Sequence, residues 1–513
     1  MTGQDTESTS ALVLDGSPLG IFDVESVARS GRRVRLDDAG RANLERAHAA
    51  LHREMAGGEP LYGVNTGFGS FARRRVDASQ LQDVQRNLLR SHASGVGEPL
   101  PTETVRAMML LLAASLSRGC SGVRVELVEC VLGLLNADVT PVVPSIGSVG
   151  ASGDLAPLAH IGLVLIGEGE AVHGGSRIDG AAALKLAGVP AVEPGPKEGL
   201  ALINGTHLMA AQAALAIADA ERVVDAAMCA AAMSIDACRA TDAFLDERVY
   251  EARGHDGPGR VAARLRTAVA GSEILASHRE DDPRVQDPYS LRCAAYVLGA
   301  ALDALGYVRT MVLRELGAVT DNPLVFGGSD DVADGVVSAG NFHGMPIALP
   351  LDVMPMALAH VAGIAERRVY FILAATDPEN PLHPHLSPHP GVESGFMIAQ
   401  YTAAACCNEI ITLCGPASVS NIPTCAGVED YNSYGPRSGA KARRVVDLCR
   451  TVVAIELLCA GEALEYQRPL KSGPGVERTY ATVREVVPPL TEDRSPAPDI
   501  AALEGLIRAG RFR

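Results

Sequence analysis

The chain has 513 residues, 47% of them hydrophobic and 4% aromatic, with a formal net charge of -16. This is enough apolar material for a large core, and the length fits two to three domains. The acidic balance argues against nucleic acid or an anionic membrane as a partner, since the longest basic run is Arg73-Arg74-Arg75.

Met1–Ser10 is polar and acidic, unlike the basic and then apolar start of a signal peptide. The longest apolar runs, such as Ala107–Leu116, fall short of a membrane span. A cytoplasmic location follows as the expectation. The eleven cysteines, Cys406-Cys407 included, show no CxxC spacing and read as reduced thiols.

Residues 1–20 are expected to be a flexible N-terminus. Ser26–Ala56 reads as largely helical, its main helix starting at Leu36-Asp37-Asp38. Tyr62-Gly63-Val64-Asn65-Thr66-Gly67-Phe68-Gly69-Ser70 is a loop whose glycine spacing differs from the dinucleotide fingerprint. From Ala78 to Leu135 apolar residues recur every three or four positions, which predicts helices. Asn87-Leu88-Leu89-Arg90-Ser91-His92 lies in this region.

Next comes Gly147-Ser148-Val149-Gly150-Ala151-Ser152-Gly153-Asp154-Leu155-Ala156-Pro157-Leu158-Ala159-His160, running into the apolar Ile161–Ile166. Asp154 stands where an N-cap belongs and Pro157 falls in the first helical turn. Ala151-Ser152-Gly153 is therefore a tight turn at the positive end of a helix dipole. A small-residue loop that allows close helix packing is the ordinary reading of such a triplet. Its chemistry offers another. Attack of the Gly153 amide nitrogen on the Ala151 carbonyl carbon, with loss of two waters, closes a 4-methylidene-imidazol-5-one ring (MIO). That ring is an electrophile no encoded side chain provides. Glycine reaches the required backbone angles at little cost, and a Cβ there would crowd the ring.

Glu168–Gly199 is rich in glycine and proline and contains a possible hairpin at Val172–Ile178; it is the candidate domain boundary. Asn204-Gly205-Thr206 precedes a further helix, and by itself reads as a cap and turn. Helical periodicity then covers about 201–245, 290–318, 345–376, 395–415 and 440–466, as in a closely packed bundle. In Gln286-Asp287-Pro288-Tyr289-Ser290-Leu291-Arg292-Cys293, Asp287 is placed to cap a helix and Pro288 to begin it. Tyr289 and Arg292 then share a face. Arg292 is either a surface ion-pairing residue or a carboxylate clamp. The acidic loop Gly327–Gly340, with Asp330, Asp331 and Asp334, reads as solvated and leads to Asn341-Phe342-His343-Gly344. His383, His385 and His389 lack a cysteine or carboxylate to complete a metal set.

Gly150–Ala159 resembles the signature of the aromatic amino-acid ammonia-lyases, the histidine, phenylalanine and tyrosine ammonia-lyases with the related aminomutases. Separate motifs between Tyr62 and Asp430 carry the resemblance. It implies a mainly α fold: a long central helical bundle (200–513) and a smaller N-terminal MIO-bearing region (21–199). It further implies a homotetramer with active sites shared between three subunits, an MIO formed from Ala151, Ser152 and Gly153, and no diffusible cofactor or metal. By resemblance Tyr62 is the base for the β-proton. Asn204 bonds the MIO and the substrate amine, and Phe342 lies against the MIO. Arg292 anchors the substrate carboxylate, with Tyr289 and Gln286 lining the MIO.

Two positions address the substrate. His92 follows serine, as in histidine ammonia-lyases, although some tyrosine lyases also have histidine there. Glu429 stands where phenylalanine and tyrosine lyases usually carry glutamine. A carboxylate suits an imidazole and gains little from a phenyl ring. The expectation is deamination of L-histidine to trans-urocanate. The alternatives are a tyrosine or other aromatic ammonia-lyase or 2,3-aminomutase, and a catalytically silent helical scaffold. Gly344-Met345 departs from the pattern's Ala-Glu, Val428 from its glutamine, and Tyr431-Asn432-Ser433-Tyr434 from its His-Val-Ser-Met.

Overall fold

Asp37 has an extended backbone and accepts the Gly40 N–H at 2.9 Å, capping helix Asp38–Ala56 as its position predicts. The computed structural model describes residues 10–280, 282–328 and 335–513. Met1–Thr9 and Asp330, Asp331 and Asp334 lie outside them. Of the N-terminal segment expected to be flexible, Leu12–Leu14 instead forms a strand paired in parallel with Val34–Leu36. Leu12 and Leu14 are buried, and that burial holds the segment in place.

The described residues contain nineteen α-helices and nine short strands, a mainly α protein. They divide into two compact units. The first runs through Leu215 and includes Arg309–Leu351 and Pro416–Ala440. The second comprises Ala216–Val308, Asp352–Gly415 and Lys441–Arg513. The glycine- and proline-rich segment 168–199 thus lies within the first unit, and its hairpin pairs Glu170–His173 with Ser176–Asp179. Four of the crossings between units fall inside long helices.

In the first unit, helix Thr102–Ser117 is buried along almost its whole length and packs on Ile21–Ser30 and Val125–Asn136. Helix Leu155–Leu165 packs on Leu81–His92 and Glu198–Ile203. Strand Pro144–Ile146, paired with Val96–Pro99, delivers the chain to the turn that starts Leu155–Leu165.

The five predicted long helices are present as His207–Ala237, Ala294–Glu315, Met345–Ala374, Met397–Leu413 and Gly435–Ala463. In the second unit, Arg368 and Glu456 form a bidentate pair with both side chains 0% exposed. Ser234 also donates to Glu456, at 2.8 Å. Ala294–Glu315 and Met345–Ala374 are long and apolar enough to cross a membrane by length and composition, which the runs of apolar sequence had not indicated. Met345–Ala374 nevertheless carries Asp352, Glu366, Arg367 and the fully buried Arg368. All eleven cysteines are free thiols.

Candidate active site

The turn at 151–153 is tied to Asn204-Gly205-Thr206. The Gly205 N–H donates to the Ser152 carbonyl at 3.1 Å, and the Asp154 N–H donates to the Gly205 carbonyl at 2.7 Å. Gly153 has φ +79°, and a Cβ there would lie 2.1 Å from the Gly205 oxygen. A side chain at this position is excluded twice, by backbone conformation and by space. Ala151 is buried in the turn, while Ser152 reaches a cavity.

Asp154 does not cap its own helix. Its ψ of 53° departs from the extended cap conformation, and its carboxylate turns to a different helix instead. It accepts the Leu208 and Met209 N–H groups at 2.8 and 3.1 Å, at the start of His207–Ala237, and the Ser148 hydroxyl at 3.1 Å. Complete burial pushes its pKa up to about 7 against those hydrogen bonds.

The cavity has a volume of about 730 Å³, within the usual range for small-molecule sites. Tyr62, His92, Ser152, Asn204, Phe342 and Glu429 all line it. Burial raises the Tyr62 phenol above its ordinary pKa; Glu429 adds to the rise, while the Gly69 N–H, which donates to its oxygen at 3.2 Å, opposes it. Burial lowers the His92 pKa, opposed by Glu429 and by the Leu88 carbonyl. That carbonyl lies 2.9 Å from Nδ1, so the neutral ring carries its proton there and Nε2 is left as an acceptor. Glu429 accepts the Thr424 hydroxyl at 2.7 Å.

Asn204 is held by residues that the sequence pattern did not single out. Its Nδ2 donates to Asp321 Oδ1 at 3.2 Å and to the Asn322 carbonyl at 2.8 Å. Lys197 Nζ donates to Asp321 Oδ2 at 2.6 Å in a fully buried pair. Burial drives the Lys197 pKa down, and Asp321 pulls it back up. The Asn204 Oδ1 is buried without a protein partner, which leaves an acceptor at the cavity wall. Lys197 and Asp321 are 124 residues apart in the chain, too far for any local motif to link them.

Gln286, Tyr289 and Arg292 belong to the second unit and do not line this cavity. They do come together. Arg292 Nη2 donates to Gln286 Oε1 at 2.9 Å, and its guanidinium lies 4.6 Å from the Tyr289 ring centre. Asp287 was expected to cap this helix but instead accepts the Thr241 N–H and hydroxyl, and Pro288 takes the cap position before the short Tyr289–Arg292 helix. His383 Nδ1 contacts the Ser387 carbonyl at 3.1 Å and its ring meets Tyr466 edge-on. Among the described residues no group of three or more His, Cys, Asp or Glu could hold a metal ion. Gly344 is buried where a Cβ would come within 2.5 Å of Met209 Cε, a physical reason for the small residue at that departure from the pattern.

The family model for aromatic amino acid lyase matches residues 19–485. The chain belongs to the aromatic amino acid lyase family. This lyase is 46% identical over 511 residues to the histidine ammonia-lyase of Anaeromyxobacter sp. (strain K), covering 97% of this chain and 99% of that one. It resembles the crystal structure of histidine ammonia-lyase from Trypanosoma cruzi with a TM-score of 0.89 and 36% identity, over 98% of this chain and 94% of the other. The tyrosine aminomutase structure from Streptomyces globisporus matches with a TM-score of 0.91 and 33% identity, over 98% and 97% of the two chains. The fold is therefore shared by lyases and mutases, so fold alone does not assign the reaction.

Proposed function

We propose that this lyase deaminates L-histidine to trans-urocanate and ammonia in the cavity that holds Ser152. The observation that carries the reading is the presence of His92 and Glu429 in that same cavity, both able to accept a hydrogen bond from an imidazole N–H. Similarity to the histidine ammonia-lyases of Anaeromyxobacter sp. (strain K) and Trypanosoma cruzi supports it.

Ala151-Ser152-Gly153 fits an MIO precursor: the left-handed Gly153 has no room for a Cβ, and Ser152 opens on the cavity. Once formed, the MIO supplies an electrophile for the substrate amine. The chain's own residues bind, orient and move the β-proton. Asn204 Oδ1 accepts from the substrate ammonium, Phe342 limits water, and Glu429 with His92 Nε2 orients the ring. Tyr62 takes the β-proton as phenolate; because burial raises its pKa, the proton must be acidified on the substrate side. Arg292 binds the carboxylate, and Gln286 and Tyr289 line the MIO. In the same reading the protein is a cytoplasmic homotetramer without diffusible cofactor, and the cluster around Arg292 serves a site completed between subunits. The 71% exposure of Tyr289 in the single chain supports that assignment.

The test incubates the protein and its Ser152→Ala variant separately with L-histidine, L-tyrosine and L-phenylalanine, following ultraviolet absorbance and ammonia release. Urocanate from histidine, lost in the variant, is the expected result. Coumarate or a β-amino acid from tyrosine transfers the site to the lyase or mutase alternative, and silence on all three substrates overturns the reading.

A further inference from the structure

We infer that Thr424 is a positioning residue for substrate specificity, acting through Glu429; this rests on the histidine reading above. Thr424 and Glu429 are bridged through their backbones, the Thr424 N–H donating to the Glu429 carbonyl at 2.9 Å. Between them Cys425, Ala426 and Gly427 all have positive φ, at 50°, 55° and 85°. Two successive non-glycine residues in this region hold only where surrounding bonds over-determine them. The purpose of the loop is then set by what its ends carry.

A threonine hydroxyl has one proton to give. Here Oγ1 donates it to Glu429 Oε2 at 2.7 Å. Its lone pairs face Asn432, whose Nδ2 makes a long contact to Oγ1 at 3.4 Å and donates to the Ile422 carbonyl at 2.8 Å. The Asn432 N–H in turn donates to Asn421 Oδ1 at 3.1 Å. Asn432 is 1% exposed, so its amide is fixed in place. A donor fixed on the lone-pair side directs the hydroxyl proton toward the carboxylate. With Oε2 so occupied, Glu429 keeps Oε1 for a ring donor of the substrate. Position 432 is one of the departures from the family pattern, whose valine there could offer Thr424 no hydrogen bond. The chain thus adds a partner behind the residue that orients Glu429.

The experiment compares Thr424→Val, which keeps the shape and removes the hydroxyl, with Thr424→Ser, which restores it. Steady-state kinetics with L-histidine are paired with the inhibition constant of L-phenylalanine, whose ring has no hydrogen-bond donor. We expect Thr424→Val to raise KM for histidine roughly tenfold, as for loss of one hydrogen bond to a charged group, with kcat falling less than about threefold. The phenylalanine constant should stay put and Thr424→Ser should recover most of the loss. An unchanged histidine KM, an equal loss for both ligands, or no recovery in a folded serine variant overturns the inference. If Thr424→Val does not fold, Asn432→Val is read the same way: a rise for histidine alone supports the inference, and no rise overturns it. Wild-type turnover of tyrosine in place of histidine removes the histidine reading separately, and the same variants are then scored on the phenol donor. Silence of the wild type on all three amino acids overturns both.

Discussion

Partial burial and the nearby Glu429 hold the Tyr62 phenol above its ordinary pKa, whereas a base must be deprotonated to act. A half-buried phenol near Glu429 is harder to ionise than one in water, so phenolate accumulates only toward alkaline pH. If it takes the β-proton, kcat/KM should keep rising beyond pH ~9, and Tyr62→Phe should lose roughly 10²–10⁴-fold in activity together with that rise. A pH–rate profile measures both, and a flat alkaline limb would remove Tyr62 from this role. Ser152 and Gly153 could be proposed from sequence because the chemistry invoked for them is local, contained in three consecutive residues. Lys197 and Asp321 could not. A lysine beside a glutamate at the start of helix Glu198–Ile203 looks like a solvent-facing charge, and only folding shows it 0% exposed and paired beneath Asn204.

Helix ends show where local reasoning holds and where it stops. Asp37 and Asp154 occupy the same position relative to their helices. Asp37, with ψ -176°, caps its own helix, whereas Asp154, with ψ 53°, caps His207–Ala237. The residue type announces a cap, but the backbone angle decides which helix receives it. Asp154 also couples this contact to pH. Its folded pKa of about 7 lies above the ordinary 3.8, so between those values the native state binds the proton more tightly than the unfolded chain. Stability from this group is therefore fullest below 3.8 and declines as pH rises toward about 7. Asp154→Asn cannot titrate, so its melting temperature should fall less than that of the wild type across this window. Thermal denaturation at several pH values provides the comparison, and parallel curves for the two proteins would refute the coupling.

Within the second unit, Arg368 and Glu456 form a fully buried ion pair. Arg368 Nη1 also donates to the Ser290 carbonyl at 3.2 Å, which fastens the short helix bearing Tyr289 and Arg292. Arg368→Met leaves a buried, unpaired carboxylate and should destabilise the protein by about 3–5 kcal/mol. Adding Glu456→Gln should recover part of that loss in denaturant unfolding, because the charge left alone is then removed. Recovery in the double variant separates a charge effect from simple loss of packing.

The bundle helices were readable from sequence because an apolar stripe every three or four residues is a property of the segment itself. So was the family, through Gly150–Ala159. The two compact units are not contiguous in the chain, since the first gathers Arg309–Leu351 and Pro416–Ala440 from far along the sequence. Sequence determined which segments become helices, and it is the ground on which Ala151-Ser152-Gly153 is proposed as the precursor of an electrophile, since both readings depend on neighbouring residues and their covalent chemistry. Tertiary structure alone decided that Tyr62, His92, Ser152, Asn204, Phe342 and Glu429 share one cavity. Those juxtapositions arise from packing between distant segments, which no local periodicity encodes.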